Sequence, residues 1–143
     1  MAKVRRFNHR LGIWGWLGGG RWGVERYAYT LHRITGLGIL FYFLMHIFVT
    51  SLRAKGIYLW TGNGVFHQPI FKFGEFLVFV AFVYHALNGI RLVLVQFGFA
   101  VGKPIEPVYP YKTSLNVQRP LLIFMMVLTC IFLALGGYSA LAK

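Results

Sequence analysis

The feature that most constrains this chain is a set of three long apolar segments that are almost free of charged side chains. The first and third segments, residues 34–52 and 120–141, contain no Lys, Arg, Asp or Glu, and the second, residues 73–98, is interrupted by Arg91. A helix of about 20 apolar residues crosses a hydrocarbon core of about 30 Å. The sequence therefore predicts an all-α integral membrane protein with three transmembrane helices.

The strong positive charge fits this interpretation. The chain has 15 Lys and Arg against three Asp and Glu, a net charge of +12. A soluble protein with that balance would be a candidate for nucleic-acid binding, but anionic lipid headgroups explain it better beside three apolar runs. The single cysteine, Cys130, excludes an internal disulfide and any cysteine-based metal cluster. We expect a basic N-terminal arm, residues 1–24, and one membrane domain, residues 25–143.

The distribution of charge also predicts the orientation. Residues 1–33 hold seven Lys and Arg and the stretch from Arg91 to Arg119 holds four, against four elsewhere. We expect the chain to lie in the cytoplasmic (inner) membrane. Because positively charged loops stay on the inner side, the N-terminus should face the cytoplasm and the C-terminus should face the outer side. The prolines in residues 103–119 predict a loop there, and Pro120 suits the first turn of the third span.

Polar residues inside the second run point to a cofactor. His85, Asn88 and Arg91 lie within two helical turns, and ionisable groups inside a membrane are rare and usually functional. Neutral imidazole is a common ligand of haem iron. We predict that His85 is an axial ligand of a b-type haem, with the opposite ligand from a partner subunit. The alternative is a core histidine bonded to a neighbouring helix.

A haem site also needs small residues where the porphyrin lies against a helix, and cations for the propionates. The first two spans contain both kinds of residue, with the charged ones near the inner face. The small positions are Gly36, Gly38, Ala81 and Gly89, and the charged or ionisable ones are His32, Arg33 and Arg91.

Two segments resemble motifs of one family. Leu31-His32-Arg33-Ile34-Thr35-Gly36 is similar to the H-R-x-[ST]-G element of the cytochrome b membrane anchor of succinate dehydrogenase, and His85-Ala86-Leu87-Asn88-Gly89-Ile90-Arg91 resembles its H-x-x-x-G-I-R element. The resemblance implies half of a two-subunit helical bundle around haem. The expected partners are a second membrane-anchor subunit, an iron–sulfur subunit and a flavoprotein subunit, with lipid around them and no nucleic acid.

The resemblance further implies electron transfer from succinate, through FAD and iron–sulfur clusters in the partner subunits, to quinone in the membrane. No catalytic residue is expected in this chain. His85 would be the axial ligand, and His32 with Arg33 would approach the propionates. The quinone-binding residues would be Arg33, Tyr29 and Thr30, although Tyr29 stands where many members have serine. Leu92 and Gln96 also replace a histidine and an aspartate of the common pattern.

His46, in the first span, is an addition to the family pattern and suggests the branch whose anchors carry two haems. If Arg33 and Arg91 both mark the inner interface, the helical rise places His46 and His85 about 11 Å apart in depth. That distance is too large for one iron, so we predict that His46 ligates a second haem. The alternative is a histidine bonded to a backbone carbonyl or to Tyr42.

Two other functions stay open at this point. The anchor of a quinol:fumarate reductase has the same architecture with electrons running in the opposite direction. A haem-free membrane scaffold or small channel subunit would need three spans but no buried iron ligand.

Overall fold

Three long helices make up almost all of the part of the chain that the structure, a computed structural model, describes. That part comprises residues 12–13, 23–56, 68–101 and 114–141. The helices are α1 (Val24–Ala54), α2 (Pro69–Gln96) and α3 (Leu115–Leu141), and the described ranges contain no strand. Each helix is long and apolar enough to cross a membrane. The predicted all-α, three-span membrane class is therefore confirmed.

Local sequence explains where α1 and α2 begin and end. Gly23 precedes α1 with a φ of +88°, and Glu25 lies in the first turn, where a negative charge interacts favourably with the helix dipole. Gly56 follows α1 with a φ of +78°, in the left-handed conformation that commonly terminates a helix. Pro69 occupies the first turn of α2, and Gly98 follows that helix with a φ of +89°.

The start of α3 differs from the prediction. The helix begins at Leu115, so residues 115–119 are helical rather than part of a loop, and Pro120 lies inside the helix instead of in its first turn. Ser114 explains the earlier start, because its carbonyl accepts bonds from the N–H groups of Val117 and Gln118 at 3.0 and 3.2 Å. The Gln118 side chain also donates to the Ser114 hydroxyl at 3.2 Å. The proline-rich segment before Ser114 and most of the predicted N-terminal arm lie outside the described residues.

Helix α2 packs against both α1 and α3. Few side chains are buried in these interfaces, and half of them are polar. They are Ala28, Tyr84, Leu122 and Met125 among the apolar ones, and Thr30, Asn88, Arg91 and Thr129 among the polar ones. Many large apolar side chains are exposed, including Phe41 at 67%. Such exposure is expected of helices whose outer faces contact lipid or other membrane subunits.

One contact between α2 and α3 depends on a residue without a side chain. A methyl group added at Gly136 would collide with the ring of Phe79, whereas one added at Gly137 would meet no atom within 4 Å. We therefore expect Gly136→Ala to reduce the stability of the folded chain in detergent by about 1–3 kcal/mol, the usual effect of overpacking. Unfolding by denaturing detergent measures this difference.

Gly137→Ala is the matched control, since it makes the same change one residue further along the helix. Equal stability of the two variants would show that Phe79 does not pack against α3 in this way.

Candidate functional site

Tyr84 fixes the height at which α2 crosses α1. Its hydroxyl donates to the carbonyl oxygen of Ala28 at 2.8 Å, and the whole side chain is buried. A buried phenol needs such a partner, because an unpaired hydroxyl away from water is costly. With Tyr84 held against Ala28, the next residue, His85, lies beside the third and fourth turns of α1.

The His85 imidazole is held by groups on α1. Its Nδ1 lies 3.0 Å from the carbonyl oxygen of His32 and 3.3 Å from the Oγ1 of Thr35. A carbonyl oxygen can only accept a hydrogen bond, so Nδ1 carries the proton and Nε2 keeps its lone pair. Within the described ranges, no hydrogen bond to Nε2 is found. A histidine whose Nδ1–H donates to a backbone carbonyl is the form in which imidazole ligates metals.

The ring of His32 stacks on the ring of His85. The two centroids are 4.0 Å apart and the planes are inclined by 6°. The stack fits closely against α2, because a methyl group at Gly89 would lie 3.5 Å from the Cε1 of His32. The Nδ1 of His32 is buried and has no hydrogen-bond partner among the described residues. A buried unpaired nitrogen marks a place where a polar group from outside this part of the chain would be accommodated.

The four predicted small positions fall in different surroundings. A methyl group at Gly36 would lie 2.8 Å from the Cε1 of His85, so this glycine allows the imidazole to approach the backbone of α1. At Gly89 a methyl group would only touch the ring of His32, at the ordinary contact distance of 3.5 Å. Gly38, one half-turn further along α1, borders a groove between α1 and α2. Ala81 is half-buried on α2.

The Arg91 side chain is buried between helices, and its position at the inner membrane interface stays a prediction. It is only 6% exposed, and its Nε donates to the Oδ1 of Asn88 at 2.9 Å. Asn88 is 3% exposed, and its Nδ2 has no partner among the described residues. No described carboxylate forms an ion pair with Arg91, because the one ion pair found in those ranges joins Arg119 to Glu25 at 2.7 Å. A buried guanidinium of this kind favours an anionic group supplied from outside.

The predicted quinone residues do not all lie together. Arg33 donates from Nη1 to the hydroxyl of Tyr29 at 2.6 Å, and its guanidinium lies 5.3 Å from the centre of the Tyr29 ring. Arg26 approaches the same ring at 5.4 Å. Both Tyr29 and Arg33 are exposed, whereas Thr30 is only 4% exposed and belongs to the interior. The surface available to a ligand here therefore consists of the phenol and the guanidinium.

His46 lies far from this cluster along α1. It is ten residues beyond Gly36, about 15 Å at 1.5 Å per residue. This separation is larger than the predicted 11 Å, because the ring of His85 lies level with Gly36 and not deeper in the membrane. The centre of the His46 ring is 5.8 Å from that of the Tyr42 ring, and the two planes are inclined by 26°. No hydrogen bond from the His46 ring is found in the described ranges.

A groove of about 320 Å³ opens beside His46 between α1 and α2. It contains two glycines, Gly38 and Gly74, at which an added methyl group would meet no atom within 4 Å. The remaining lining residues are Phe41, Tyr42, Met45, Val49, Ile70, Phe71, Glu75 and Val78.

Two residues of these sites, Tyr84 and Glu75, were missed by the sequence analysis, and Thr35 was noted only as part of a motif, without its contact to His85. Tyr84 acts through a contact between helices, and no local signal distinguishes it from other polar residues of a span. Glu75 could have been noticed, because it is a carboxylate within the second apolar run and such residues are rare in membranes.

The comparisons with known proteins identify the family of the chain. The family model of the succinate dehydrogenase/fumarate reductase transmembrane subunit matches residues 1–134. The chain belongs to this family. The family assignment confirms the resemblance drawn from the two motifs, and identifies the chain as a membrane subunit of an oxidoreductase family.

Two relatives share parts of the sequence. The chain is 34% identical over 84 residues to the succinate dehydrogenase hydrophobic membrane anchor subunit of Halobacterium salinarum, covering 55% of this chain and 65% of that protein. It is 31% identical over 72 residues to the succinate dehydrogenase 2 membrane subunit SdhC of Mycobacterium tuberculosis, covering 50% and 53%. The matches thus span less than two thirds of each relative. No solved structure matches the chain.

Proposed function

We propose that this chain is the cytochrome b membrane-anchor subunit of a succinate dehydrogenase complex, where it holds haem b and borders a quinone site. Both relatives are named as succinate dehydrogenase membrane subunits, which favours this function over the fumarate reductase direction. The observation that supports the haem assignment is the hydrogen bond from Nδ1–H of His85 to the carbonyl oxygen of His32. This bond leaves the lone pair of Nε2 available to bind iron. A haem-free scaffold would not require that arrangement.

The proposed partners are a second membrane anchor, an iron–sulfur subunit and a flavoprotein. Electrons from succinate would pass through FAD and iron–sulfur clusters in those subunits to quinone. The excess of positive charge in residues 1–33 supports an inner location for the N-terminus.

The described residues fit a haem at the inner end of α1 and α2. When bound, the haem would supply one-electron transfer at its iron. His85 would bind the iron, and the second anchor subunit would provide the opposite ligand. Arg91 would pair with a propionate, because it is a buried cation with no carboxylate partner in the described ranges. His32, whose buried Nδ1 lacks a partner, and Arg33 would assist at the same end.

The quinone site would lie at the exposed side of α1. Arg33 is a permanent donor, and its positive charge stabilises negative charge that develops on a quinone oxygen during reduction. Tyr29 presents a hydroxyl that is already within 2.6 Å of Arg33, so the two groups can act on one carbonyl oxygen. Thr30, being buried, would support this pair from the interior.

A second haem would occupy the groove beside His46. Gly38 and Gly74 leave open space on the two helices that form the groove, as a flat macrocycle requires. The offset of about 15 Å from the level of Gly36 would place the two haems in opposite halves of a hydrocarbon core of about 30 Å. The groove and the free ring of His46 are the observations that support this part of the proposal.

The first prediction tests the ligand. His85→Ala should abolish the b-type band of one haem in a reduced-minus-oxidised spectrum of the purified complex, because no other described nitrogen is presented to iron in the same way. Phe82→Ala is the control, since it removes an exposed ring from the same helix. An unchanged spectrum in His85→Ala would refute the haem assignment.

The second prediction tests the quinone residues. Arg33→Leu should lower quinone reduction at least tenfold, while succinate oxidation with a soluble artificial acceptor stays at the wild-type rate. The loss of a charged hydrogen bond is worth roughly 1.5–3 kcal/mol, which corresponds to that range. Arg53→Leu, the same change in the last turn of α1, is the control. Wild-type quinone reduction in Arg33→Leu would exclude the role.

The third prediction concerns the number of haems. The intact complex should contain two haems b per flavin, and His46→Ala should contain one. Haem extraction and quantitation against flavin measures both values. A ratio of one in the wild type, unchanged in His46→Ala, would make His46 a structural residue that packs on Tyr42.

A further inference from the structure

Several groups of α1 surround the His85 imidazole and determine its position and its tautomer. Its Nδ1–H has two acceptors, the carbonyl oxygen of His32 at 3.0 Å and the hydroxyl oxygen of Thr35 at 3.3 Å. The Thr35 hydroxyl in turn lies 2.8 Å from the carbonyl oxygen of Leu31 and 3.0 Å from that of His32. All three acceptors belong to α1, whereas the imidazole belongs to α2.

The proton positions in this chain of contacts follow from its two ends. A hydroxyl has one proton, and the carbonyl oxygens of Leu31 and His32 can only accept, so the Thr35 proton is directed to the backbone of α1. The lone pairs of Thr35 Oγ1 then face Nδ1 of His85. An Nε2–H tautomer would bring an unprotonated Nδ1 to 3.0 Å from a carbonyl oxygen, with two acceptors facing each other. The geometry therefore selects the Nδ1–H tautomer.

Gly36 completes the arrangement. It follows Thr35 directly, and a methyl group in its place would lie 2.8 Å from Cε1 and 3.3 Å from Nδ1 of His85. The first distance is shorter than carbon atoms tolerate, so an alanine would push the ring away from its acceptors. The stacked ring of His32, centred 4.0 Å away, supports one face of the imidazole.

We propose that Thr35 and Gly36 are positioning residues for the axial ligand: Gly36 admits the His85 ring to the backbone of α1, and Thr35 with the His32 carbonyl fixes its tautomer and raises its basicity. This inference rests on the proposed haem ligation by His85. A partner that accepts the second N–H of a ligating histidine makes the imidazole a stronger donor to the metal. A more basic imidazole stabilises oxidised iron, so Thr35 keeps the midpoint potential of this haem low.

The potential tests the part assigned to Thr35. In the purified complex, the haem whose band is lost in His85→Ala should show a higher midpoint potential in Thr35→Val by redox titration. This variant keeps the shape of the side chain and removes the hydroxyl. Thr35→Ser retains the hydroxyl and should restore the wild-type potential. Thr129→Val is the control, because Thr129 on α3 makes the same kind of backbone bond, to Met125 at 2.8 Å, without facing His85.

Haem content tests the part assigned to Gly36. Gly36→Ala should lower the haem per flavin several-fold in the complex that is recovered, whatever its yield. Gly137→Ala, which replaces a helical glycine with no atom within 4 Å of the added methyl group, should keep the wild-type content. If Gly36→Ala prevents assembly, the midpoint potentials of the Thr35 variants decide whether α1 positions His85.

The outcomes separate this inference from the function on which it rests. One possible outcome is that His85→Ala loses the band of one haem, whereas Thr35→Val keeps the wild-type potential and Gly36→Ala keeps the wild-type haem content. His85 is then a ligand, but α1 does not position it. If the spectrum of His85→Ala is the same as that of the wild type, with no haem lost, both the ligation and the positioning are wrong. A midpoint potential that is raised in Thr35→Val but equal to the wild-type value in Thr35→Ser supports the proposal. Equal potentials in the wild type and both Thr35 variants overturn the role of the hydroxyl.

Discussion

The structure depends above all on the crossing of α1 and α2 between Ala28 and Gly36. Tyr84 and His85 each donate to a carbonyl oxygen of α1, at 2.8 and 3.0 Å. Two adjacent residues of one helix are thereby bonded to two successive turns of the other. Such bonds fix both the height and the rotation of α2, and the orientation of the imidazole follows from them. In a membrane this matters more than in water, because lipid gives apolar side chains no reason to prefer another helix.

The same end of the bundle concentrates the charge. Arg91 is buried beside Asn88, while Glu25 forms its ion pair with Arg119 and interacts with Arg91 only through space. With three acidic residues in the sequence against fifteen basic ones, the chain has few anions of its own. A buried guanidinium is stable only with an acceptor of suitable charge. The stability of this end should thus depend on a bound anionic group or a neighbouring subunit, which ties the folding of the anchor to its assembly.

The sequence predicted the number of helices and the membrane class, because a long uncharged segment can be recognised without knowing what it packs against. It also predicted the residue types of the site, because ionisable residues stand out within such segments. It placed Pro120 at a helix start, whereas the structure places this residue inside α3, and it gave no sign that the Arg91 side chain is buried between helices. The stacking of His32 on His85 and the burial of Thr30 were not predictable. Each depends on the rotation of a helix about its own axis, and a helix that is apolar on all sides carries no stripe that reveals this rotation.

Two glycines show how the rotation is set instead. Helix α2 sends the ring of His85 against Gly36 of α1 and the ring of Phe79 against Gly136 of α3. Each ring occupies the space that a side chain would fill, so each pair can meet at one height and one rotation only. Small residues that allow such close approach are the usual means by which membrane helices recognise each other. The contact at Gly36 therefore has two consequences at once: it orders α1 against α2, and it brings the Nδ1 of His85 to its acceptors. A substitution there should change the fold and the site together, whereas one at Gly136 should change the fold while leaving the bonds of His85 in place.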